Sequence, residues 1–434
     1  RYEFNSPPVD PQNRASLYNP ATGGISMVGT DGLPRAGYAS DRNNFGPRFG
    51  LAWSPGDRKT VLRGGYGIYF DQSALAPSEG LYFSAPHFDF RLFVTSQQFP
   101  LTLQNPFPDN FPMPTPASAF TFNSRMRTPY IQHFNLQVQR QLDRATVLEV
   151  GYVGAKGTRL LMARDINQAP PAATQFPMRP NLMFQDINEL ESRAASNYHS
   201  MQASLRRTLT GGVSLLASYT YGKSIDDASN FFPSAGDANF PQDSRDTRFE
   251  RARSGFDVRQ RFTAAAAWLI PCSHKAKARW LLAGWQLNGI AAMQTGRPFT
   301  VALPGEMDNS GTGRSSLGFG ANDRANIVGD PGLANPGPGT WFNPAAFAFP
   351  TPGTFGNAGR NILDGPGLAS VNLSVLKSFE VKDGTSLQFR AESFNALNRT
   401  NFNQPQNFLG AAGFGSITSA QNPRLVQLGI KLLF

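Results

Sequence analysis

The chain closes on a segment whose polarity alternates residue by residue. Across residues 424–434, Val426, Leu428, Ile430, Leu432 and Phe434 share one parity, Gln427, Gly429 and Lys431 share the other, and Leu433 is the lone exception. A period of two is the mark of a strand with one apolar and one polar side. The alternation recurs upstream. Residues 59–70 set Leu62, Tyr66, Ile68 and Phe70 against Arg63, Gly65 and Gly67. Residues 130–142 set Phe134, Leu136 and Val138 against Asn135, Gln137 and Gln139; after a turn at Asp143, Thr146, Leu148, Val150 and Tyr152 oppose Glu149 and Gly151. Residues 197–209, 213–223, 257–270, 285–294, 371–375 and 387–391 follow suit, and a short strand over 47–54 precedes them all. The pattern predicts about eleven strands.

The connections add a second regularity. Tight turns at 55–58, 143, 210–212, 271–284 and 382–384 alternate with long stretches rich in Gly, Pro and Asn at 71–129, 156–196, 224–256, 297–367 and before the last strand. Residues 1–46 are read as an N-terminal loop segment. Outer-membrane barrels have short periplasmic turns and long extracellular loops, and their strands put an apolar face to lipid and a polar face to the lumen. With Phe434 at the periplasmic end, every short turn falls on the periplasmic side; a soluble sandwich or propeller has no reason to keep that parity. The predicted fold class is therefore all-β, an antiparallel transmembrane β-barrel. On this orientation Tyr66, Phe70, Tyr130, Tyr152, Tyr219 and Tyr221 reach the outer rim of the lipid face, and Trp268, Trp285, Phe379 and Phe434 reach the inner rim, as two aromatic girdles. Arg140, Arg207 and Lys377 interrupt the apolar face near the periplasmic ends of their strands, where long side chains are expected to snorkel to the interface.

Composition agrees. Apolar residues make up 40% of the 434, and the longest apolar run, 264–270, is far too short for a transmembrane helix. A lone cysteine, Cys272, permits neither an intrachain disulfide nor a cysteine metal cluster. The net charge of +10 is scattered, which suits solvated lumen and loop charge and not nucleic-acid binding. The chain opens on Arg1 with no charged-then-apolar signal segment. A barrel needs an export signal, so the expectation is a fragment or matured piece of a longer protein.

Five segments carry a resemblance to a known family: LQFRAESFNALNRTNF over 387–402, NFGPRFGLAW over 44–53, RGGYG over 63–67, FDVRQRF over 256–262 and GWQLNG over 284–289. In order and spacing they resemble the C-terminal half of TonB-dependent receptors of the Oar-like type. The resemblance implies an outer-membrane transporter barrel of about 22 strands around a plug. It implies TonB-energised uptake of a bulky ligand, and an upstream domain similar to a carboxypeptidase regulatory domain. Residues 1–434 would then be a partial barrel domain, with no plug, TonB-contacting box or regulatory domain in the sequence. Its partners would be outer-membrane lipid, the TonB complex through an upstream part, the barrel-assembly machinery through Phe434, and a bulky ligand met by the outer loops. Two other readings stand beside it: a passive porin-like or structural barrel, and a secreted β-rich binding or adhesion protein.

Candidate site residues are few. Arg245, Arg248, Arg251, Arg253, Arg259 and Arg261 approach the outer mouth and descend the lumen face, where they could attract an anion. The same run carries Asp243, Asp246, Glu250 and Asp257, so mutual pairing is the competing account. Gln388, Arg390 and Glu392 also face the lumen. His87, His133, His199 and His274 lie far apart without metal spacing. The Asp308–Ser310–Thr312–Gly313 stretch lacks the closing glutamate of a calcium loop. No nucleophile–base arrangement stands out, and no enzyme activity, metal or cofactor is expected.

Overall fold

In the computed structural model the alternating segments are strands. The structure describes residues 1–56, 58–71, 80–86, 100–108, 118–173, 177–230, 240–272, 278–305, 307–313, 322–382 and 384–434. One sheet follows the path β1 (Arg48–Trp53), β2 (Thr60–Phe70), β3 (Tyr130–Gln141), β4 (Thr146–Asp165), β5 (Ile187–Thr210), β6 (Val213–Asp226), β7 (Gln260–Leu269), β8 (Trp285–Gln294), β9 (Leu368–Lys382), β10 (Thr385–Phe394) and β11 (Leu425–Leu433). Each strand is antiparallel to its predecessor. This is a meander, the order that hairpin connections alone can build.

The register holds the two parities apart from strand to strand. One row reads Leu62, Val138, Val150, Ala203, Tyr219, Phe262, Met293. The adjacent row reads Arg63, Gln137, Gly151, Gln202, Thr220, Arg261, Gln294. A slip of one residue anywhere would mix the rows. Exposure runs opposite to that of a soluble sheet. In β3, Leu136 is 54% exposed while its neighbours Gln137 and Gln139 are half-buried, and Leu428 in β11 is 77% exposed.

β4 and β5 run to 20 and 24 residues, about twice what a tilted strand needs to cross a bilayer. The register breaks at Gly157–Leu160–Leu161, where Arg159 adopts φ 56°. Such a bulge bends and twists a strand. Beyond it the alternation ends and both faces become buried. Leu161, Ala163 and Leu190 pack there with Leu17, Val28, Phe120 and Phe122. The expectation of loop over 156–196 is therefore corrected: the hairpin continues well above the bulge. Residues 1–46, expected as loop, carry a β-hairpin, Ser16–Asn19 with Gly24–Met27, whose first strand is fully buried. A strand at Ala119–Phe122 joins the top of β5 in parallel.

The long 297–367 connection is also built. Short ladders pair Pro298–Phe299 with Leu363–Asp364 and Asn326–Ile327 with Phe347–Ala348. They enclose a second core of Phe299, Val301, Leu303, Phe342, Phe347 and Leu409. Buried ion pairs tie the loop layer to the top of β6, Arg360 with Asp226 (2.5 Å), and to the 227–259 connection, Arg324 with Glu250. The sheet thus has a plain trunk near its short turns and a packed layer at the other end.

Candidate functional site

The polar face of the trunk is a surface of amides and hydroxyls that hydrogen-bond sideways. Gln286 Nε2 donates to Asn288 Oδ1 (2.6 Å), and Asn288 Nδ2 donates to Ser374 Oγ (3.0 Å). Gln388 Nε2 donates to Ser378 Oγ (3.2 Å), and Gln202 Nε2 to Ser200 Oγ (3.1 Å). Gln137, Glu149, Gly151, Gln202, Ser204, Ser218 and Thr220 line a depression in this wall. Arg63, Arg206, Arg261, Arg390 and Lys431 share the face with Glu149, Glu380 and Glu392. Of the sequence candidates, Arg261, Gln388, Arg390 and Glu392 stand on this polar wall, Arg261 between Thr220 and Gln294 and the other three along β10.

The remaining arginines do not. Arg245 binds Asp243 (Nε to Oδ1, 3.1 Å) and Arg248 binds Asp246 (Nη2 to Oδ2, 2.6 Å), both in the outer layer. The hydrogen bonds from Arg248 hold the Asp246 carboxyl down at about 2. Arg251 pairs with Asp227 (2.9 Å) and Arg253 with Asp364 (2.6 Å). The Arg259 guanidinium lies 5.8 Å from the centroid of the Tyr221 ring. Carboxylates two residues away thus neutralise Arg245 and Arg248, and carboxylates distant in sequence neutralise Arg251 and Arg253.

The apolar face carries the aromatic residues at its two ends. At the layer end, Tyr66 donates its hydroxyl to Gln132 Oε1 (2.9 Å), Tyr219 to Gln260 Oε1 (3.2 Å), and Tyr152 meets His199 Nδ1 at 2.5 Å. The Phe134 ring lies over Gly154, where a Cβ would come within 2.1 Å of it. Phe70 packs on Tyr130 (5.5 Å between centroids), and Tyr221 pairs with Met201 across the ladder. At the short-turn end lie Trp268, Trp285 and Phe379, and then Phe434, fully exposed. Sequence reasoning missed the partners Gln132, Gln260 and His199; a polar residue on an apolar parity next to a tyrosine was the available signal. His133 meets Tyr69 edge-on on the polar side (5.4 Å between centroids), and His87 and His274 lie outside the described residues.

Three charges on the apolar face, Arg140, Arg207 and Lys377, are held by protein partners. Arg140 donates to Thr60 Oγ1. Arg207 donates to Thr146 Oγ1 (3.1 Å) and pairs with Asp143 (3.5 Å). Lys377, expected to snorkel, is only 5% exposed and donates to backbone carbonyls.

Buried acids sit in the layer, outside the trunk. Burial, with the Asp186 charge against it, pushes Asp165 up to about 7 although Arg179 (3.2 Å) pulls the other way. Burial likewise raises Asp323 to about 6, assisted by Asp308 and opposed by the Ser310 N–H.

A family model described as "Outer membrane beta barrel domain" matches residues 1–427. The chain belongs to the outer membrane beta barrel domain family. The protein resides in the bacterial outer membrane, so its apolar face meets lipid and its polar face the lumen. No curated protein matches the chain. Among solved structures, the outer membrane transporter YddB from Escherichia coli superposes with a TM-score of 0.50 at 11% identity, covering 91% of this chain and 41% of that one. The ferripyoverdine receptor of the outer membrane of Pseudomonas aeruginosa, bound to ferripyoverdine, gives 0.44 at 11% identity, covering 94% and 34%. The chain thus spans well under half the length of these two proteins, and the likeness to the first is one of fold.

With the bilayer in place, the short turns are periplasmic and the packed layer is extracellular.

Proposed function

We propose that the chain is the wall and mouth of an Oar-like, TonB-dependent receptor, which takes up a bulky ligand across the outer membrane. The observation that carries this reading is the pairing of a polar lumen wall with a folded extracellular layer built on β4, β5 and the 297–367 connection. A passive pore needs the first but not the second. Two cores and buried ion pairs hold that layer in one arrangement, which is what recognition of a large surface requires. The role of the wall residues Arg261, Gln388, Arg390 and Glu392 is to line the path past a plug supplied by another part of the protein. The arginines at the mouth, Arg245 and Arg248, serve the layer's own ion pairs before any ligand.

The test is uptake in cells expressing the full-length protein, with and without an intact tonB gene, following a labelled mixture of peptides and glycans above the size limit of porins. Uptake that collapses when TonB is lost supports the receptor. A steady ionic conductance of the purified protein in planar bilayers, unaffected by TonB, would point to the passive barrel instead. Recovery of the protein in the medium would favour a secreted adhesin.

A further inference from the structure

The connection between β7 and β8 is unlike the other short turns. Residues 279–282 form a single helical turn, Arg279–Leu282, that folds against the lipid-facing side of the sheet. Two lipid-face side chains hold it there. Trp285 Nε1 donates to the Leu281 carbonyl (2.8 Å), and Lys377 Nζ donates to the carbonyls of Trp280 (2.9 Å) and Ala283. Trp285 and Lys377 are direct partners across the β8–β9 ladder. The ammonium also sits 4.6 Å from the Phe379 ring centroid and 5.5 Å from that of Trp285. Gly284, at φ +76°, reverses the chain into β8, and a Cβ there would meet the Ser378 carbonyl oxygen at 2.4 Å.

The turn's own apolar side chains point away from this anchorage. Trp280 is 71% exposed, Leu281 47% and Leu282 52%. The carbonyls of Trp280, Leu281 and Ala283 accept from the wall, and Trp280, Leu281 and Leu282 offer hydrocarbon and indole outward. That is the chemistry a segment needs at the boundary of water and acyl chains, where an unpaired carbonyl is costly and tryptophan is favoured. The patch is continuous with the lipid-facing wall through Trp285 and Phe379, so its occupant is the one that wall already has. We propose that residues 278–284 are a membrane foot, docked on glycerophospholipid of the periplasmic leaflet. Trp280 lies at headgroup level and Leu281 and Leu282 dip into the acyl region. Lys377 is the positioning residue that locks the foot to the barrel.

The test uses the full-length protein carrying Cys272→Ser and Leu281→Cys, labelled at the new thiol with an environment-sensitive fluorophore and reconstituted in phosphatidylcholine vesicles. Chains brominated near the headgroup should quench the label by half or more, while aqueous iodide leaves it nearly unquenched. Adding Lys377→Met should release the foot and reverse both results. Where that variant fails to fold, Trp285→Phe, which removes the bond to Leu281 and keeps an aromatic ring beside Lys377, should weaken bromolipid quenching measurably. Strong iodide quenching and weak bromolipid quenching in the parent would overturn the proposal, as would quenching that neither variant changes.

Discussion

Removing the Arg360 guanidinium should unlock the extracellular layer while leaving the trunk intact. The side chain is completely buried. Nη2 binds the Asp226 carboxylate (2.5 Å) and the Asp226 carbonyl (2.7 Å), Nη1 the Ser229 hydroxyl (2.9 Å), and Nε the Glu250 carbonyl (3.0 Å). Glu250 in turn pairs with Arg324 and accepts from the Gln242 N–H (3.1 Å). One residue therefore joins the top of β6, the 227–259 connection and the 297–367 connection. Arg360→Met keeps the bulk of the side chain but leaves Asp226 charged and buried. Breaking a buried pair from one side costs about 3–5 kcal/mol. At about 1.4 kcal/mol per tenfold, local opening should become about a hundredfold to a few thousandfold more frequent. Hydrogen–deuterium exchange read by mass spectrometry on the protein in vesicles measures this directly. Peptides spanning 226–230, 242–250 and 322–327 should exchange faster by that factor, and peptides within 214–220 and 262–268 should not change. Adding Asp226→Asn should recover part of the loss, since no charge is then stranded. Exchange in the layer within about threefold of the parent, or an equal rise in the trunk, would refute the reasoning.

Two further outcomes follow from the same structure. The folded-state carboxyl of Asp323 titrates at about 6, above its ordinary 3.8, so its ionised form weakens the layer. That penalty is fully present above about pH 6 and is relieved as pH falls toward about 4; exchange around Ser310, corrected for its intrinsic pH dependence, should slow over that range, and Asp323→Asn should abolish the trend. Leu136→Arg places a charge on the lipid face and should cost about 2–4 kcal/mol in urea unfolding from vesicles. Gln137→Arg, one residue along on the lumen wall, should change stability by less than about 1 kcal/mol.

The trunk was legible because two periodicities overlap in it: alternation within strands and alternation between short and long connections. All eleven strands, their order and their common orientation can be read that way. The layer was not legible, and for a physical reason. Above the bulge at Gly157–Leu161 both faces of the β4–β5 hairpin are covered, so Leu160, Leu161, Met162 and Ala163 run on without alternation. The charges there, Arg164 with Glu189 (2.9 Å) and Glu191 (2.8 Å), resemble loop residues until their burial is known. The strand Ser16–Asn19 is hidden in the same way, being buried along its whole length. Among the site residues, Arg261, Gln388, Arg390 and Glu392 share the parity of the polar wall. Parity alone could not show that the Arg259 guanidinium approaches the Tyr221 ring, or that a turn nearly a hundred positions away would supply carbonyls for Lys377.

The central claim is that one face of each strand meets lipid and the other a wet lumen. A nitroxide scan along β3, at Phe134, Asn135, Leu136, Gln137, Val138 and Gln139 in a Cys272→Ser background, tests it most directly. Collisions with dissolved oxygen should peak at Phe134, Leu136 and Val138, and collisions with a water-soluble nickel complex should peak at Asn135, Gln137 and Gln139, with the two profiles in opposite phase. Profiles in phase, or nickel access at Leu136 and Val138 equal to that at Gln137, would contradict it.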